Sequence, residues 1–230
     1  PPSRNLDVLS GIAEDAAANL ILCEDDIIIR LQQKFADHPL LNARSWAKYS
    51  SAILSAQQHY YEAERGAIAM LQYTSGSTGQ PKGVMLSHHN LLANLAAIQR
   101  EFGMTQETVM VGWLPLYHDM GLIGNVLGSL YSGQKLYFMS PQEFVQEPYC
   151  WLEAISRYRA FISGGPNFAY QLCVDRISTA QLAELDLSSW QVAFNGAEPV
   201  RAQVLDQFSQ KFYPAQFSRH AFQPCYGMAD

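Results

Sequence analysis

The chain has 230 residues, of which 48% are hydrophobic and 16% are charged, and its formal net charge at pH 7 is −6. This balance excludes an intrinsically disordered chain, since disorder requires few apolar residues and a high net charge. The 15 Lys and Arg residues form no basic cluster, so a nucleic-acid partner is not expected. No apolar run approaches the roughly 20 residues that cross a bilayer, so no integral membrane segment is predicted.

The four cysteines are far apart in the sequence and include no C-x-x-C pair: Cys23, Cys150, Cys173 and Cys225. Their spacing disfavours structural zinc and a disulfide framework, and reduced thiols are typical of a cytoplasmic protein. No signal peptide is visible at the start of the sequence. Because the sequence begins with Pro1 and stops abruptly at Asp230, we expect it to be a piece of a longer chain.

The first part of the chain alternates between helical and extended patterns. The predicted elements are, in order, a helix over 6–19, a strand over 20–23, a helix from 25 or 26 to about 35, a polar connector with some helix over 43–65, a buried strand over 67–73 and a returning strand over 83–86. Ser87 is expected to cap a helix that continues to about residue 101.

The second part continues the alternation. Strands are predicted over 108–114, 135–139, 160–162 and 190–194, and helices over 121–131, 141–158, 166–177 and 199–212. Pro199 is expected near the first turn of the last helix. Strands that alternate with helices of this length are typical of parallel βαβ units, so the predicted fold class is α/β.

The most informative segment is the loop between the strands predicted at 67–73 and 83–86, which reads YTSGSTGQPKG over 73–83. Its glycines let the backbone approach a ligand closely, and successive free N–H groups form an anion-binding nest. The hydroxyls add donors and Lys82 adds a mobile positive charge, so the loop suits a polyphosphate. A Walker A loop is excluded, because Pro81 stands where its second glycine belongs and Gly83 follows the lysine.

Residues 73–83 resemble the phosphate-binding signature of the adenylate-forming superfamily, which includes acyl-CoA synthetases, peptide-synthetase adenylation domains and luciferases. Four further blocks resemble those of fatty acyl-AMP ligases and occur in the family's order: WLPLYHDMGL over 113–122, SGGPNFAY over 163–170, NGAEPVR over 195–201 and CYGMAD over 225–230. Weaker similarity covers the residues before 73. The chain therefore resembles a part of a fatty acyl-AMP ligase.

This resemblance implies mixed, mostly parallel sheets flanked by helices, as in the large N-terminal domain of the superfamily. It implies a partial N-terminal subdomain and connector over 1–66 and a truncated nucleotide- and acyl-binding core over 67–230, without the family's C-terminal lid domain. We therefore expect little or no activity from this stretch alone.

The activity that the resemblance implies has two steps. ATP, with Mg²⁺, and a fatty acid first give an acyl-adenylate and pyrophosphate. The acyl group then passes to the phosphopantetheine thiol of an acyl carrier protein. A fatty acyl-CoA ligase and a non-catalytic module that binds ATP or an acyl chain are the alternatives.

The resemblance also implies roles for individual residues. The β- and γ-phosphates would be held by Thr74, Ser75, Gly76, Ser77, Thr78, Gly79 and Lys82. The adenine site would contain Asn195, Gly196, Ala197, Glu198, Tyr226, Gly227 and Met228, with the ring of Tyr226 stacked on the base. The catalytic residues would be His118, beside the acyl carboxylate and the α-phosphate, and Lys82. The wall of an acyl slot would include Met120, Gly164, Gly165 and Pro166, and Asp230 would help to hold Mg²⁺ where the family usually has Glu.

Some of these residues have a second interpretation. Lys82 also fits a solvated loop lysine, and Asp119 either orients the imidazole of His118 or caps the helix that begins near Met120. Glu198 also fits a carboxylate that favours a helix N-terminus. The residues of the acyl slot equally fit packing in the core.

Overall fold

The computed structural model describes residues 3–38, 44–48, 62–74 and 82–227. These residues form two compact units, one up to His89 and the other from Asn90 onward. The functional division between residues 66 and 67 expected from the sequence stays a prediction. No helix within the described ranges is both long enough and apolar enough to span a membrane.

The first unit begins with alternating helices and strands and ends in a hairpin. Its elements are α1 (Ser3–Asp15), β1 (Leu20–Cys23), α2 (Asp25–Phe35), β2 (Ser45–Lys48), β3 (Ile68–Thr74) and β4 (Lys82–Ser87). β1 and β2 pair in parallel. Leu6 and Ala13 of α1 pack with Leu31 of α2 in a small buried core. The two helices and the strand predicted for residues 6–35 are confirmed.

β2 lies in the segment for which the sequence predicts a connector with some helix. That prediction is wrong for Ser45–Lys48, because pairing with β1 supplies hydrogen bonds that the weak local pattern does not reveal. The side chain of Trp46 packs against the small core of the first unit. Residues 49–61 of the connector lie outside the described residues.

β3 and β4 form an antiparallel hairpin, which confirms the outgoing and returning strands. Tyr73 lies opposite Gly83, and Thr74 lies opposite Lys82. The predicted burial of β3 is wrong, since Ile68 is 57% exposed. Among the described strands β4 alone pairs with β3, and a two-stranded hairpin leaves much of its surface open.

The second unit contains a five-stranded sheet flanked by helices. The elements after β4 are α3 (His88–Phe102), β5 (Val109–Gly112), a π-helical segment (Met120–Leu127), α4 (Gly128–Ser132), β6 (Lys135–Phe138), α5 (Pro141–Gln146), α6 (Tyr149–Tyr158), β7 (Ile162–Gly165), α7 (Asn167–Arg176), α8 (Thr179–Leu182), β8 (Val192–Asn195), α9 (Ala202–Phe212) and β9 (Phe222–Pro224). The strand order is β6-β5-β7-β8-β9, and all pairs are parallel. The predicted α/β fold with mostly parallel strands is confirmed.

Aromatic side chains fill the core of this unit around Trp151 and Trp190, whose ring centroids are 5.4 Å apart. Both indoles are fully buried, so their N–H groups need partners. Trp151 Nε1 donates to Ser163 Oγ at 2.8 Å, and Ser163 Oγ donates to the carbonyl of Val111 at 2.6 Å. Trp190 Nε1 donates to the carbonyl of Ser163 at 3.1 Å. Ser163 on β7 thereby provides a hydrogen-bond acceptor for the N–H group of each indole.

Two helices differ from the sequence prediction. The single helix predicted over 141–158 is divided into α5 and α6 at Pro148, since proline lacks the N–H that a continuous helix requires. α9 begins after Pro199 rather than around it, because Arg201 is extended and its N–H donates to Asn167 Oδ1 at 3.0 Å.

The strand predicted over 160–162 is β7, displaced toward the carboxyl terminus. Arg159 ends α6 in a left-handed conformation, with φ of 49°. The next residues carry the chain back to the sheet, where the Phe161 N–H donates to the carbonyl of Val109 at 2.8 Å. Pairing with the neighbouring strands, which the local sequence does not encode, thus decides where β7 begins.

Candidate functional site

The carboxyl ends of the parallel strands form one edge of the sheet, where ligands bind in open α/β folds. The strands end at Gly112, Phe138, Gly165, Asn195 and Pro224. The loops after β5, β7, β8 and β9 carry predicted site residues along this edge: His118, Pro166, Gly196, Ala197, Glu198, Tyr226 and Gly227. Parallel topology therefore collects at one edge residues from four separate sequence blocks.

β5 and β7 are the strands between which the chain reverses its direction across the sheet. From β5 the chain passes to β6 on one side and then returns to β7 on the other side. Such a topological switch point leaves a crevice between the two loops that leave the sheet in opposite directions. The His118 loop follows β5 and Pro166 follows β7, so both lie at this crevice.

His118 is held by its own loop and by the residue that follows it. Its backbone N–H donates to the Pro115 carbonyl at 3.1 Å, and its side chain is 52% exposed. Asp119 Oδ1 lies 2.6 Å from His118 Nδ1 and accepts the Met120 N–H at 2.7 Å. Both interpretations of Asp119 therefore hold, since it contacts the imidazole and caps the helical segment. His118 Nδ1 faces Asp119 Oδ1 and the Met120 N–H, which is 3.3 Å away, so Nε2 is the ring nitrogen available to another partner.

The helical segment after His118 begins as a π-helix, although the sequence predicts an ordinary helix over 121–131. Gly121 lies directly against the His118 loop, because a Cβ there would overlap the carbonyl oxygens of Leu114 and Pro115. Met120 is partly buried and packs against the core. π-helical turns are frequent at functional sites, so this irregularity supports the edge as the candidate site.

The two glycines at the end of β7 allow close packing. A Cβ on Gly164 would lie 2.6 Å from the ring of Phe194, and one on Gly165 would lie 2.5 Å from Trp113 Cζ2. Gly164 and Gly165 are buried, and Pro166 follows them in an extended conformation before α7. These contacts agree with core packing, the second interpretation given by the sequence. The acyl-wall role of the three residues stays a prediction.

The loop after β8 contains a buried amide with an unused acceptor. Asn195 is fully buried, and its Nδ2 is 3.4 Å from Asn167 Oδ1. Asn195 Oδ1 has no hydrogen-bond partner among the described residues. Because Asn167 Oδ1 also accepts the Arg201 N–H, Asn167 joins the loops after β7 and β8. Asn167 lies in the sequence block over 163–170, but no role is predicted for it from that motif.

The next residues of this loop have an unusual backbone. Ala197 adopts φ of 66°, a left-handed conformation that is rare for residues other than glycine. Where other residues do adopt it, they are often at functional sites. Glu198 Oε1 accepts the Phe168 N–H at 2.6 Å, at the N-terminus of α7. The second interpretation of Glu198 is therefore correct in kind, although the helix is α7 and not the helix that follows it in sequence.

The loop after β9 lies beside the loop after β8. The Cys225 N–H donates to the Asn195 carbonyl at 2.8 Å, and a Cβ on Gly196 would lie 2.6 Å from the Cys225 Sγ. Burial raises the pKa of the Cys225 thiol, so it stays protonated at neutral pH. Tyr226 is 87% exposed, which leaves its ring faces free for stacking. Met228 and Asp230 lie outside the described residues.

Thr74 and Lys82, which form the neck of the predicted phosphate loop, belong to the first unit. Thr74 ends β3 opposite Lys82, the exposed first residue of β4. The remaining predicted phosphate-binding residues lie outside the described residues: Ser75, Gly76, Ser77, Thr78 and Gly79. Across the described ranges, no group of three or more His, Cys, Asp or Glu side chains is placed to hold a metal ion.

The chain matches a known protein family over nearly its whole length. The family model described as AMP-binding enzyme matches residues 5–230. The medium-chain-fatty-acid–[acyl-carrier-protein] ligase TtuA of Teredinibacter turnerae is 53% identical over 163 residues, which are 71% of this chain and 25% of the relative. The ligase of the same description JamA, of Moorena producens, is 40% identical over 230 residues, 99% of this chain and 39% of the relative.

A solved structure has the same fold. It is the crystal structure of a fatty acyl-adenylate ligase from L. pneumophila in complex with acyl adenylate and pyrophosphate, with a TM-score of 0.88 and 45% identity. The match covers 97% of this chain and 39% of that chain. The chain thus spans 25% to 39% of the length of the curated relatives it matches. On the family model and the shared fold, the chain belongs to the AMP-binding enzyme family.

Proposed function

We propose that the full-length protein is an ATP-dependent fatty acyl-AMP ligase that delivers its acyl group to an acyl carrier protein. The observation that carries the proposal is the Asp119-oriented imidazole of His118 at the switch point of the sheet. The descriptions of TtuA and JamA support the choice of a medium-chain fatty acid and a carrier protein.

In the first step a carboxylate oxygen of the fatty acid attacks the α-phosphorus of ATP. The new bond is carboxylate oxygen to α-phosphorus, and the bond from α-phosphorus to the oxygen bridging to the β-phosphate breaks, so pyrophosphate leaves. The carboxylate and the phosphate are both anions, so catalysis depends mainly on positioning them and neutralising their charge. We assign His118 Nε2 to the reacting carboxylate and α-phosphate, and Lys82 with the loop hydroxyls to the departing pyrophosphate.

In the second step the carrier-protein thiolate attacks the acyl carbonyl and AMP leaves. The geometry of the loop after β8 supports an adenine site for both steps. Asn195 Oδ1 is a buried acceptor without a partner among the described residues, and the exocyclic amine of adenine is a matching donor. Gly196, Ala197 and Glu198 supply the backbone beside it, and the exposed ring of Tyr226 supplies a stacking surface.

The remaining assignments belong to the same proposal. Met120, Gly164, Gly165 and Pro166 border the acyl chain, and Gly227 and Met228 complete the adenine loop. A carboxylate at Asp230 is a suitable ligand for Mg²⁺, which would neutralise phosphate charge. We place the enzyme in the cytoplasm, where ATP and carrier proteins are available.

The test is ATP–pyrophosphate exchange with dodecanoic acid by the full-length protein, followed by acyl transfer to a carrier protein or to coenzyme A. We expect exchange that depends on the fatty acid, and transfer to the carrier protein alone. Transfer to coenzyme A would instead identify an acyl-CoA ligase. Tight binding of an acyl-adenylate analogue without any exchange would identify a non-catalytic module. The stretch of residues 1–230 is expected to be weakly active or inactive by itself.

A further inference from the structure

A hydrogen bond connects the end of α1 with the strand that enters the predicted phosphate loop. Tyr73 Oη donates to Asp15 Oδ2 at 2.6 Å, and the two residues are 58 positions apart in sequence. Asp15 is the last residue of α1, and Tyr73 is the residue before Thr74 on β3. The contact lies within the first unit and joins a helix, α1, to a strand, β3.

The ring of Tyr73 also crosses the neck of the loop. Tyr73 lies opposite Gly83 on β4, and a Cβ on Gly83 would lie 2.8 Å from Tyr73 Cζ. Any larger residue at position 83 would therefore displace the ring. The next pair along the hairpin is Thr74 with Lys82, beyond which the loop begins. One aromatic ring thus covers both strands at the pair that precedes the loop.

The position of Asp15 is not explained by the stability of α1. A carboxylate at the C-terminal end of a helix faces the negative end of the helix dipole, which is unfavourable. A tyrosine donor that satisfies the carboxylate offsets this effect, since hydrogen bonds to charged groups are stronger than neutral ones. The contact with Asp15 also raises the pKa of the Tyr73 phenol above its ordinary value, so the phenol remains a donor at neutral pH.

We propose that Asp15 and Tyr73 are a positioning pair that holds the neck of the phosphate loop, and so sets where Thr74 and Lys82 stand relative to bound ATP. Neither residue touches the nucleotide in this proposal. The inference rests on the proposed function, in which the loop binds the ATP phosphates. It assigns to α1 a role in nucleotide binding that the sequence motif alone does not include.

The test uses the full-length enzyme with Tyr73→Phe, which keeps the ring and removes the hydroxyl, and with Asp15→Ala. We expect each to raise the KM for ATP about threefold to tenfold, the order expected for the net contribution of one ordinary hydrogen bond. The KM for dodecanoic acid should stay unchanged. The double variant should be no worse than either single variant, because both remove the same contact. Glu14→Gln, an exposed charge change on the same helix, is the matched control.

Two further measurements separate this inference from the proposed function. Amide hydrogen exchange over Ile68–Ser87 should be faster in Tyr73→Phe than in the wild type, whatever the reaction. Calorimetric ATP binding should weaken in both single variants even if the wild type performs no exchange reaction.

Wild-type protein that binds no ATP and performs no exchange would overturn the proposed function and the pair's role together. Wild-type activity with an unchanged KM for ATP in both variants would overturn the positioning pair alone. So would an equal loss of affinity for ATP and fatty acid, because that result indicates a general structural defect.

Discussion

Asp119 Oδ1 lies 2.6 Å from His118 Nδ1 and accepts the backbone N–H of the next residue at 2.7 Å. One oxygen therefore orients the imidazole and caps the helical segment that leaves the sheet edge. Capping requires only a side-chain acceptor, whereas the imidazole contact requires a carboxylate of this reach. The two roles can therefore be separated by substitution.

We predict that Asp119→Ser keeps the cap and loses the contact with His118, since serine is a good N-cap residue but is shorter. Its free energy of unfolding should match the wild type, whereas that of Asp119→Ala should be about 1 kcal/mol lower. Both variants should lower kcat of the full-length enzyme about tenfold to a hundredfold, because a misoriented catalytic group is costly. Urea denaturation and pyrophosphate exchange measure the two effects. If kcat of Asp119→Ser equals that of the wild type, the carboxylate caps the helical segment but has no role in orienting His118.

We predict that Gly165→Ala destabilises the second unit. The new Cβ would lie 2.5 Å from the Trp113 ring, which is stacked on Phe144 with a centroid distance of 4.0 Å and has little room to move. Overpacking of this kind costs about 1–3 kcal/mol of the free energy of unfolding. Gly124→Ala is the control, because nothing lies within 4 Å of its Cβ. Equal stability of the two variants in urea denaturation would contradict the rigid packing of Trp113.

We predict that Ala197→Gly relieves backbone strain and weakens ATP binding. The left-handed φ of 66° is unfavourable for alanine, so glycine should raise the free energy of unfolding by up to about 1 kcal/mol. The added freedom of the loop should raise the KM for ATP, because binding must then order it. Gln216→Gly is the matched control, with φ of 65° in a turn after α9 and no predicted part in the site. An ATP KM raised equally in both variants would refute a local role for Ala197.

We predict a loss of stability in alkaline solution through Cys173. Burial holds the pKa of this thiol well above its ordinary value near 9, against the opposing charge of Lys211. Below about pH 9 the thiol is protonated in both states, and above it only the unfolded chain loses the proton. The free energy of unfolding should then fall by up to about 1.4 kcal/mol per pH unit for this group.

Cys173→Ala should make this alkaline decline shallower, whatever its effect at neutral pH. The measurement is urea denaturation at intervals from pH 7 to about pH 10.5. Burial also raises the pKa of Tyr170 well above its ordinary value of 10.0, and its contribution begins near that ordinary value, where the unfolded chain loses the phenol proton. An identical slope in the variant and the wild type would mean that the thiol titrates alike in the folded and unfolded chains.

The sequence predicted the elements well where a strong local pattern coincided with the final pairing. The strands β1, β4, β5, β6 and β8 lie within or close to their predicted ranges. It failed for β2, whose residues become a strand because β1 lies beside them. It also predicted one regular helix over 121–131, although the close approach of Gly121 to two carbonyls accompanies a π-helical start.

The candidate site shows the same division. Sequence motifs predict His118 and Asn195 as site residues, since their neighbours in sequence carry the resemblance. Motifs do not reveal that Glu198 binds the N-terminus of α7, or that Asn167 joins two loops, because these contacts span about 30 positions of the chain. Nor do they reveal the contact between Tyr73 and Asp15.

By itself, the sequence determined the fold class, the family resemblance and the residue types that we propose for phosphate and adenine binding. These properties depend on local spacing and composition, which can be read from the sequence without knowledge of the tertiary structure. Only the tertiary structure decided that Asn195 keeps a buried acceptor unpaired among the described residues, and that glycines at the end of β7 meet Trp113 and Phe194. Such relationships are set by packing between distant segments, and no local pattern encodes them.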